Sequence, residues 1–267
     1  MLVAALIANK HIELLLVGKT GAIDPQSATL YVVLRRLHFS TSWQRKAIAS
    51  DPMGSVSYNG IAWIYESLGQ LYSGGQIYAA KASQLPQMRP GDAILYAGVG
   101  PGEDAVLAGQ RGAIVTCIDV APKMLQKVES RFRAAGIQPG IICGNVLDHK
   151  LTGHYDIVVA NFFLNVFTEN AMAAILEHLA SLVKSDGKLL IADFIAPSGN
   201  RLARAGQAFY WGVTNLFYYL LRLCAWHPIY DYPRYFAAAG LQFQKIDRFP
   251  VSRFGPQGFC AITAVRS

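Results

Sequence analysis

From residue 93 onward, two kinds of apolar pattern take turns along the chain. AILYA (93–97), IVTCIDV (114–120), GIICG (140–144), YDIVVAN (155–161) and KLLIADF (188–194) are short, nearly continuous apolar runs of strand length. Between them, residues 103–111, 122–135 and 169–184 carry helix patterns. Strands that are apolar throughout are buried on both faces, and regular alternation with helices puts those helices on the two sides of a parallel sheet. The pattern predicts an α/β fold, a doubly wound, Rossmann-like and mostly parallel sheet. DYPRYFAAAG (231–240), LQFQKIDRF (241–249) and FCAITAVR (259–266) predict helix, strand, strand, so that the sheet finishes in a hairpin with a reversed terminal edge strand. Upstream, Ile61, Ile64, Leu68 and Leu71, set among Tyr58, Trp63, Tyr65 and Tyr72, predict a helical lead-in within 57–85.

Composition narrows the class. Of 267 residues 52% are hydrophobic and 15% charged, against about 45–50% and 25% in soluble proteins generally, which excludes disorder, collagen and coiled coil. A mean hydropathy of +0.26 implies an unusually large core or apolar surface that faces lipid or a greasy ligand. The net charge is +7, and much of it falls in the first fifty residues, where Lys10, Lys19, Arg35, Arg36, Arg45 and Lys46 meet only Glu13 and Asp24. The body is only mildly basic and has no concentrated stripe, which argues against a dedicated nucleic-acid binder. Cys117, Cys143, Cys224 and Cys260 are far apart and form no CxxC pair, so they read as reduced and mostly buried, without a zinc or disulfide framework. The stretch 30–50 has Arg35, Arg36, Arg45 and Lys46, no acid, and Ser and Thr among apolar residues. That is the composition of a mitochondrial transit segment, with a processing-like order at Arg36-Leu37-His38-Phe39-Ser40. A surface helix, or a start upstream of Met53, is the alternative. The expected organisation is therefore an N-terminal extension at 1–52 and one domain at 53–267, placed in the mitochondrion at the matrix face of the inner membrane.

The sharpest motif is ILYAGVGPGEDA (94–105), in which a strand ends at Ala97, Gly98, Gly100 and Gly102 follow, and a helix begins. Glycines let the backbone approach a ligand while helix N-terminal amides stay free to bind it. The third glycine comes one residue too early for a dinucleotide fingerprint, and no Gly-Lys-Ser/Thr of a phosphate loop is present.

A GxGxG loop followed by an acid at the end of the next strand resembles the class I S-adenosylmethionine (SAM)-dependent methyltransferases. The resemblance covers about residues 58–266. It implies SAM as cofactor, with Asp119 accepting from both ribose hydroxyls, Asn145 in CGNVLD (143–148) near the adenine amine, and Asn161 in YDIVVANFFLNVF (155–167) lining the methionine end. Tyr65, Val120 and Val146 complete the implied cofactor contacts. One position departs from the pattern: Tyr96 stands where the family usually has the acid that holds the SAM ammonium. Either the site is degenerate, or the phenol substitutes as acceptor, or the amine is held loosely so that it is released neutral and nucleophilic.

AFYWGVTNLFYYLLRLCAW (208–226), within an insert of about 198–230, carries only Arg222 as a charge. It suits a membrane-interface helix or an aromatic substrate lid, with an ordinary buried helix as the alternative. This insert and the tyrosine-rich lead-in resemble the ubiquinone and menaquinone methyltransferase branch. Tyr96 and the HPIYDYP run (227–233) resemble, more narrowly, the rhodoquinone-biosynthesis (RquA) family. That resemblance implies replacement of a ubiquinone ring methoxy by an amino group drawn from SAM with manganese (Mn2+) assistance, and peripheral membrane association. Tyr96, Asp148, His149, His227 and Asp231 are then the candidate catalytic groups or ligands, although no facial-triad or HExxH spacing marks a metal site. Methylation of a lipophilic quinol or phenol is the main alternative. A SAM-binding assembly protein and a soluble small-molecule methyltransferase are further ones.

Overall fold

A computed structural model of the chain describes residues 3–8, 11–16, 73–196, 199–201, 204–209, 211–212, 229–251 and 257–267. The chain divides into two compact units, Met1–Ala49 and Ser50–Ser267. In the first, β1 (Val3–Ala8) and β2 (His11–Leu16) pair antiparallel from Val3↔Leu16 to Ala8↔His11. The basic stretch 30–50, Met53, and the tyrosine-rich part of the lead-in with Tyr58 and Tyr65 lie outside the described residues.

In the second unit the lead-in continues as α1 (Gln76–Ala82). Then follow β3 (Ala93–Ala97), α2 (Glu103–Gln110), β4 (Ile114–Asp119), α3 (Pro122–Ala134), β5 (Gly140–Cys143), β6 (Tyr155–Val159), α4 (Glu169–Leu182), β7 (Val183–Phe194), α5 (Pro233–Phe236), β8 (Leu241–Pro250) and β9 (Gln257–Arg266). The sheet has seven strands in the order β5-β4-β3-β6-β7-β9-β8. The first five run parallel, and β9 pairs antiparallel with both β7 and β8. The expected doubly wound sheet with a reversed C-terminal strand is present, and that strand lies one place in from the edge.

Strand alternation splits the core between the two faces. Leu95 and Ala97 of β3 join α4 residues Ile175, Leu176 and Leu179 in one cluster, whereas Ile94 and Tyr96 join Ala105, Ala108, Leu125, Val128 and Phe132 of α2 and α3 in the other. On α3 the buried residues Leu125, Val128 and Phe132 fall at helical spacing on one face. Burying each of these stabilises by about 1.5–3 kcal/mol.

Two boundaries differ from the sequence pattern. β7 begins at Val183, directly at the end of α4, because the polar Lys184-Ser185-Asp186-Gly187 stretch is absorbed as an irregularity within the strand. There the pairing with β6 shifts register between Tyr155 and Ile157, and Asp186 takes φ 62; Asp tolerates that left-handed geometry, so a sequence that reads as a turn is accommodated inside a sheet. α5 is one turn, with Pro233 at its first position.

Candidate functional site

The chain proceeds from β3 outward to β4 and β5, then returns to place β6 on the other side of β3. In open α/β sheets the crevice at such a reversal, outside the carboxyl ends of the strands, is where ligands bind. The glycine loop stands there. Gly98, Gly100 and Gly102 have φ of 61, 55 and 74, conformations that disfavour L side chains. Their surroundings differ. A Cβ on Gly98 would lie 2.1 Å from Phe163 Cδ2, and one on Gly102 would lie 2.8 Å from Val128 Cγ2, but one on Gly100 would meet nothing within 4 Å. The outer glycines let the loop seat against neighbouring residues, and the middle one leaves open space.

Asp119 ends β4 beside that space. Its Oδ1 accepts from Ala121 N at 2.9 Å and its Oδ2 from Gly100 N at 3.4 Å. Burial raises the carboxyl pKa, while the amides of Ala121, Gly100 and Val120 oppose that rise. Val120 is 54% exposed, an apolar side chain left uncovered next to the acid. Asn145 caps the short turn Val146–Asp148 by accepting from Leu147 N at 3.0 Å. Val146 is buried, and its carbonyl accepts from His178 Nε2 at 2.9 Å. These residues lie along the ends of β3, β4 and β5.

Tyr96 faces elsewhere. It is 2% exposed, within the cluster beneath α2, and its hydroxyl donates to the Asp104 carbonyl at 3.2 Å, with Met88 Sδ at 3.7 Å. Burial pushes the phenol well above its ordinary value, so it is a neutral donor. Beside it is a polar network that joins Asp104 and Asn161 to Lys81 and Gln84. Asn161 Nδ2 donates to Asp104 Oδ2 at 2.8 Å and to Gln84 Oε1 at 2.9 Å. Asn161 Oδ1 accepts from Gln84 Nε2 at 3.0 Å and from Ala192 N at 2.9 Å. Lys81 Nζ stands 3.5 Å from Asp104 Oδ1, an oxygen that is buried and accepts no hydrogen bond. Asn161 is therefore held on all sides and acts as a brace linking α2 and β7 to the turn that follows α1. Of this network Asn161 is a candidate from the sequence and Asp104 falls in the first turn after the glycine loop, whereas Lys81 and Gln84 leave no trace in the sequence.

Among the described residues, the candidate catalytic groups Tyr96, Asp148, His149 and Asp231 share no hydrogen bond or ion pair. Asp148 is exposed. His149 Nε2 lies 2.8 Å from Tyr155 Oη, and desolvation followed by the charges of His178 and His154 lowers its pKa. Asp231 pairs with Arg234 on the surface, Oδ2 to Nε 2.6 Å. His227 lies outside the described residues. Among the described residues no group of three His, Cys, Asp or Glu side chains could hold a metal ion.

Most of the insert 208–226 also lies outside them. Trp211, expected at a membrane interface or in a substrate lid, is 5% exposed and packs edge-on to Phe194 at 4.7 Å and Phe259 at 5.8 Å, so its ring belongs to the core. Phe209 is 75% exposed. No helix among the described residues is long and apolar enough to cross a membrane. Phe162, with φ 52, adds its ring to the Phe194 and Phe259 cluster next to Asn161.

Residues 94–187 match the methyltransferase domain family. The ribosomal protein L11 methyltransferase of Thermus thermophilus is 30% identical over 76 residues, 28% of this chain, and the chain spans 30% of that protein's length. The 1,6-didemethyltoxoflavin-N1-methyltransferase of Burkholderia thailandensis, solved with its substrate and S-adenosylhomocysteine, superposes with a TM-score of 0.57 at 15% identity, over 94% of this chain and 93% of that one. The magnesium protoporphyrin IX methyltransferase of Synechocystis, solved with bound S-adenosylhomocysteine, gives 0.51 at 20% identity, over 88% and 99%. These likenesses show the fold, that of the class I SAM-dependent methyltransferases.

Proposed function

We propose that this chain binds SAM at the carboxyl ends of β3 and β4 and transfers its methyl group to a small lipophilic acceptor of the quinol or phenol class. The observation that carries the reading is the Gly100–Asp119 pair: an open left-handed glycine whose amide meets a carboxylate at the end of the adjacent strand. The residues fit the cofactor. Asp119 offers two acceptor oxygens to a ribose diol, Gly100 leaves room for it, and the exposed Val120 and the turn at Asn145 and Val146 offer an apolar edge for adenine.

Bound there, SAM supplies a methyl carbon made electrophilic by its sulfonium. An acceptor oxygen would take that carbon as the carbon–sulfur bond broke, the electron pair staying on sulfur and the acceptor's hydroxyl proton passing to water. The protein's part is positioning. A lipophilic acceptor is supported by the Phe162, Phe194 and Phe259 rings near the end of β6, by the mean hydropathy, and by the apolar composition of 208–226. The composition of that insert and of the basic, acid-free stretch 30–50 supports peripheral attachment at the matrix face of the mitochondrial inner membrane.

Tyr96 favours a second reading, in which the acceptor is ubiquinone and the group delivered is the amine of SAM, displacing a ring methoxy with manganese assistance to give rhodoquinone. No carboxylate stands at position 96 to hold the ammonium. Isotopes separate the two readings: with SAM labelled at the methyl carbon and at the amine nitrogen, carbon label in the quinone product supports methyl transfer, and nitrogen label supports amino transfer.

Asp119→Ala is expected to weaken SAM binding by about 1.5–3 kcal/mol, the usual loss for hydrogen bonds to a charged group. Unchanged affinity in calorimetry would overturn the placement of the ribose.

A further inference from the structure

We infer that Lys81 and Asp104 form a clamp for the zwitterionic amino-acid end of the cofactor, Asp104 taking the ammonium and Lys81 the carboxylate. The inference rests on the SAM reading above and identifies residues that neither the glycine loop nor the strand-end acid supplies.

Placement comes first. Asp104 follows the glycine loop by two residues, and Asn161 follows the end of β6, so the bond between them spans the crevice where the strand order reverses. A carboxylate in that crevice is 3% exposed, and one of its oxygens accepts no hydrogen bond. Buried carboxylate oxygens are ordinarily satisfied, because desolvating one without a donor is costly. Lys81 forms an ion pair with that oxygen at 3.5 Å, longer than a charge-assisted hydrogen bond. The pair therefore has unspent capacity on its acidic member.

The chemistry of the pair matches one kind of ligand. An α-amino acid carries a positive and a negative group side by side, and a lysine facing an aspartate presents the complementary charges in reverse order. Asp104 also explains Tyr96. The phenol that replaces the family's acid donates to the Asp104 backbone carbonyl, so it fixes the first turn of the helix from which the substitute acid projects. Gln84 and Asn161 hold the other carboxylate oxygen in place through a closed ring of side-chain hydrogen bonds. The acid is thus moved from β3 to α2. A carboxylate held against the amine favours its ammonium form, which has no free lone pair, and so favours methyl over amino transfer.

The test compares two probes, S-adenosylhomocysteine, which has the amino-acid end, and 5′-methylthioadenosine, which lacks it. Asp104→Asn and Lys81→Met are each expected to lower the affinity for S-adenosylhomocysteine about tenfold or more, with that for 5′-methylthioadenosine unchanged within about twofold. Asn keeps the acceptor that Asn161 needs, and retained binding of the shorter nucleoside shows that the variant is folded. Equal losses for both probes, or no loss for S-adenosylhomocysteine in Lys81→Met, would overturn the clamp while leaving the cofactor reading intact. A wild-type protein that binds neither nucleoside would overturn the cofactor reading and the clamp with it.

Discussion

Tyr96→Asp is expected to destabilise the fold by about 4–5 kcal/mol, the upper range for single substitutions, seen as a fall in Tm of roughly 10–15 °C for a domain of this size. Two losses add. The ring is 2% exposed among Ile94, Val99, Ala105, Cys117 and Val128, so its removal leaves a cavity under the glycine loop. The new carboxylate would face the Asp104 carbonyl, to which the phenol now donates, and would stand near the Asp104 side chain as a second buried negative charge. Tyr96→Phe is the control. It deletes one hydrogen bond and keeps the ring, and should cost only about 1 kcal/mol. Family logic taken from the sequence alone expects the opposite, since an acid restored at this position should hold the SAM ammonium. Thermal denaturation decides: an Asp variant with wild-type Tm would mean that the side chain is not packed as described.

Tyr96 also shows where a sequence stops being informative. The apolar runs at 93–97, 114–120 and 155–161 declare strands because a residue buried on both faces of a sheet has to be apolar, and the glycines declare a tight loop because Gly98 and Gly102 have no room for a Cβ. Those constraints are local, so they can be read from neighbouring residues. The direction in which a strand residue points, and what lies beneath it, depends on pairing across long intervals. Gln84 and Asn161 are 77 residues apart, and Asp104 and Asn161 57 apart, yet they form one hydrogen-bonded ring. Nothing in the spacing of Lys81 or Gln84 marks them, since a single lysine or glutamine on a short helix is ordinary. The turn at 184–187 hides for the opposite reason: its local chemistry says loop, and the pairing with β6 overrides it. Trp211 reads as an interfacial aromatic until its partners Phe194 and Phe259 are known.

Stability should fall as pH rises from about 4 to about 7 by an amount traceable to Asp193. This carboxyl ends β7 and is 1% exposed, and burial lifts its pKa to about 7 although the Tyr232 hydroxyl and the amides of Phe194 and Asn165 all donate to it. Its folded value lies above its unfolded one of about 4, so the native state binds the proton more tightly. The stabilisation is complete below pH 4, is lost as pH climbs through the folded value, and is flat beyond it. Three units correspond to roughly 4 kcal/mol. Asp193→Asn removes the charge and keeps the shape, so urea unfolding between pH 4 and 8 should show a slope in the wild type that the variant lacks. Tyr232→Phe takes away the donor at 2.5 Å that favours the ionised form, and should carry the titration to higher pH still. The bond does more than titrate. Asp193 lies one residue before the end of β7, and Tyr232 follows the 208–226 segment in sequence, so this pair ties together residues on either side of the segment that the proposed function assigns to the acceptor. If the tie matters to that segment, Tyr232→Phe should raise the apparent KM for a lipophilic acceptor while leaving the affinity for S-adenosylhomocysteine as it was. Identical pH slopes in wild type and Asp193→Asn would show that the carboxyl is not the group that titrates.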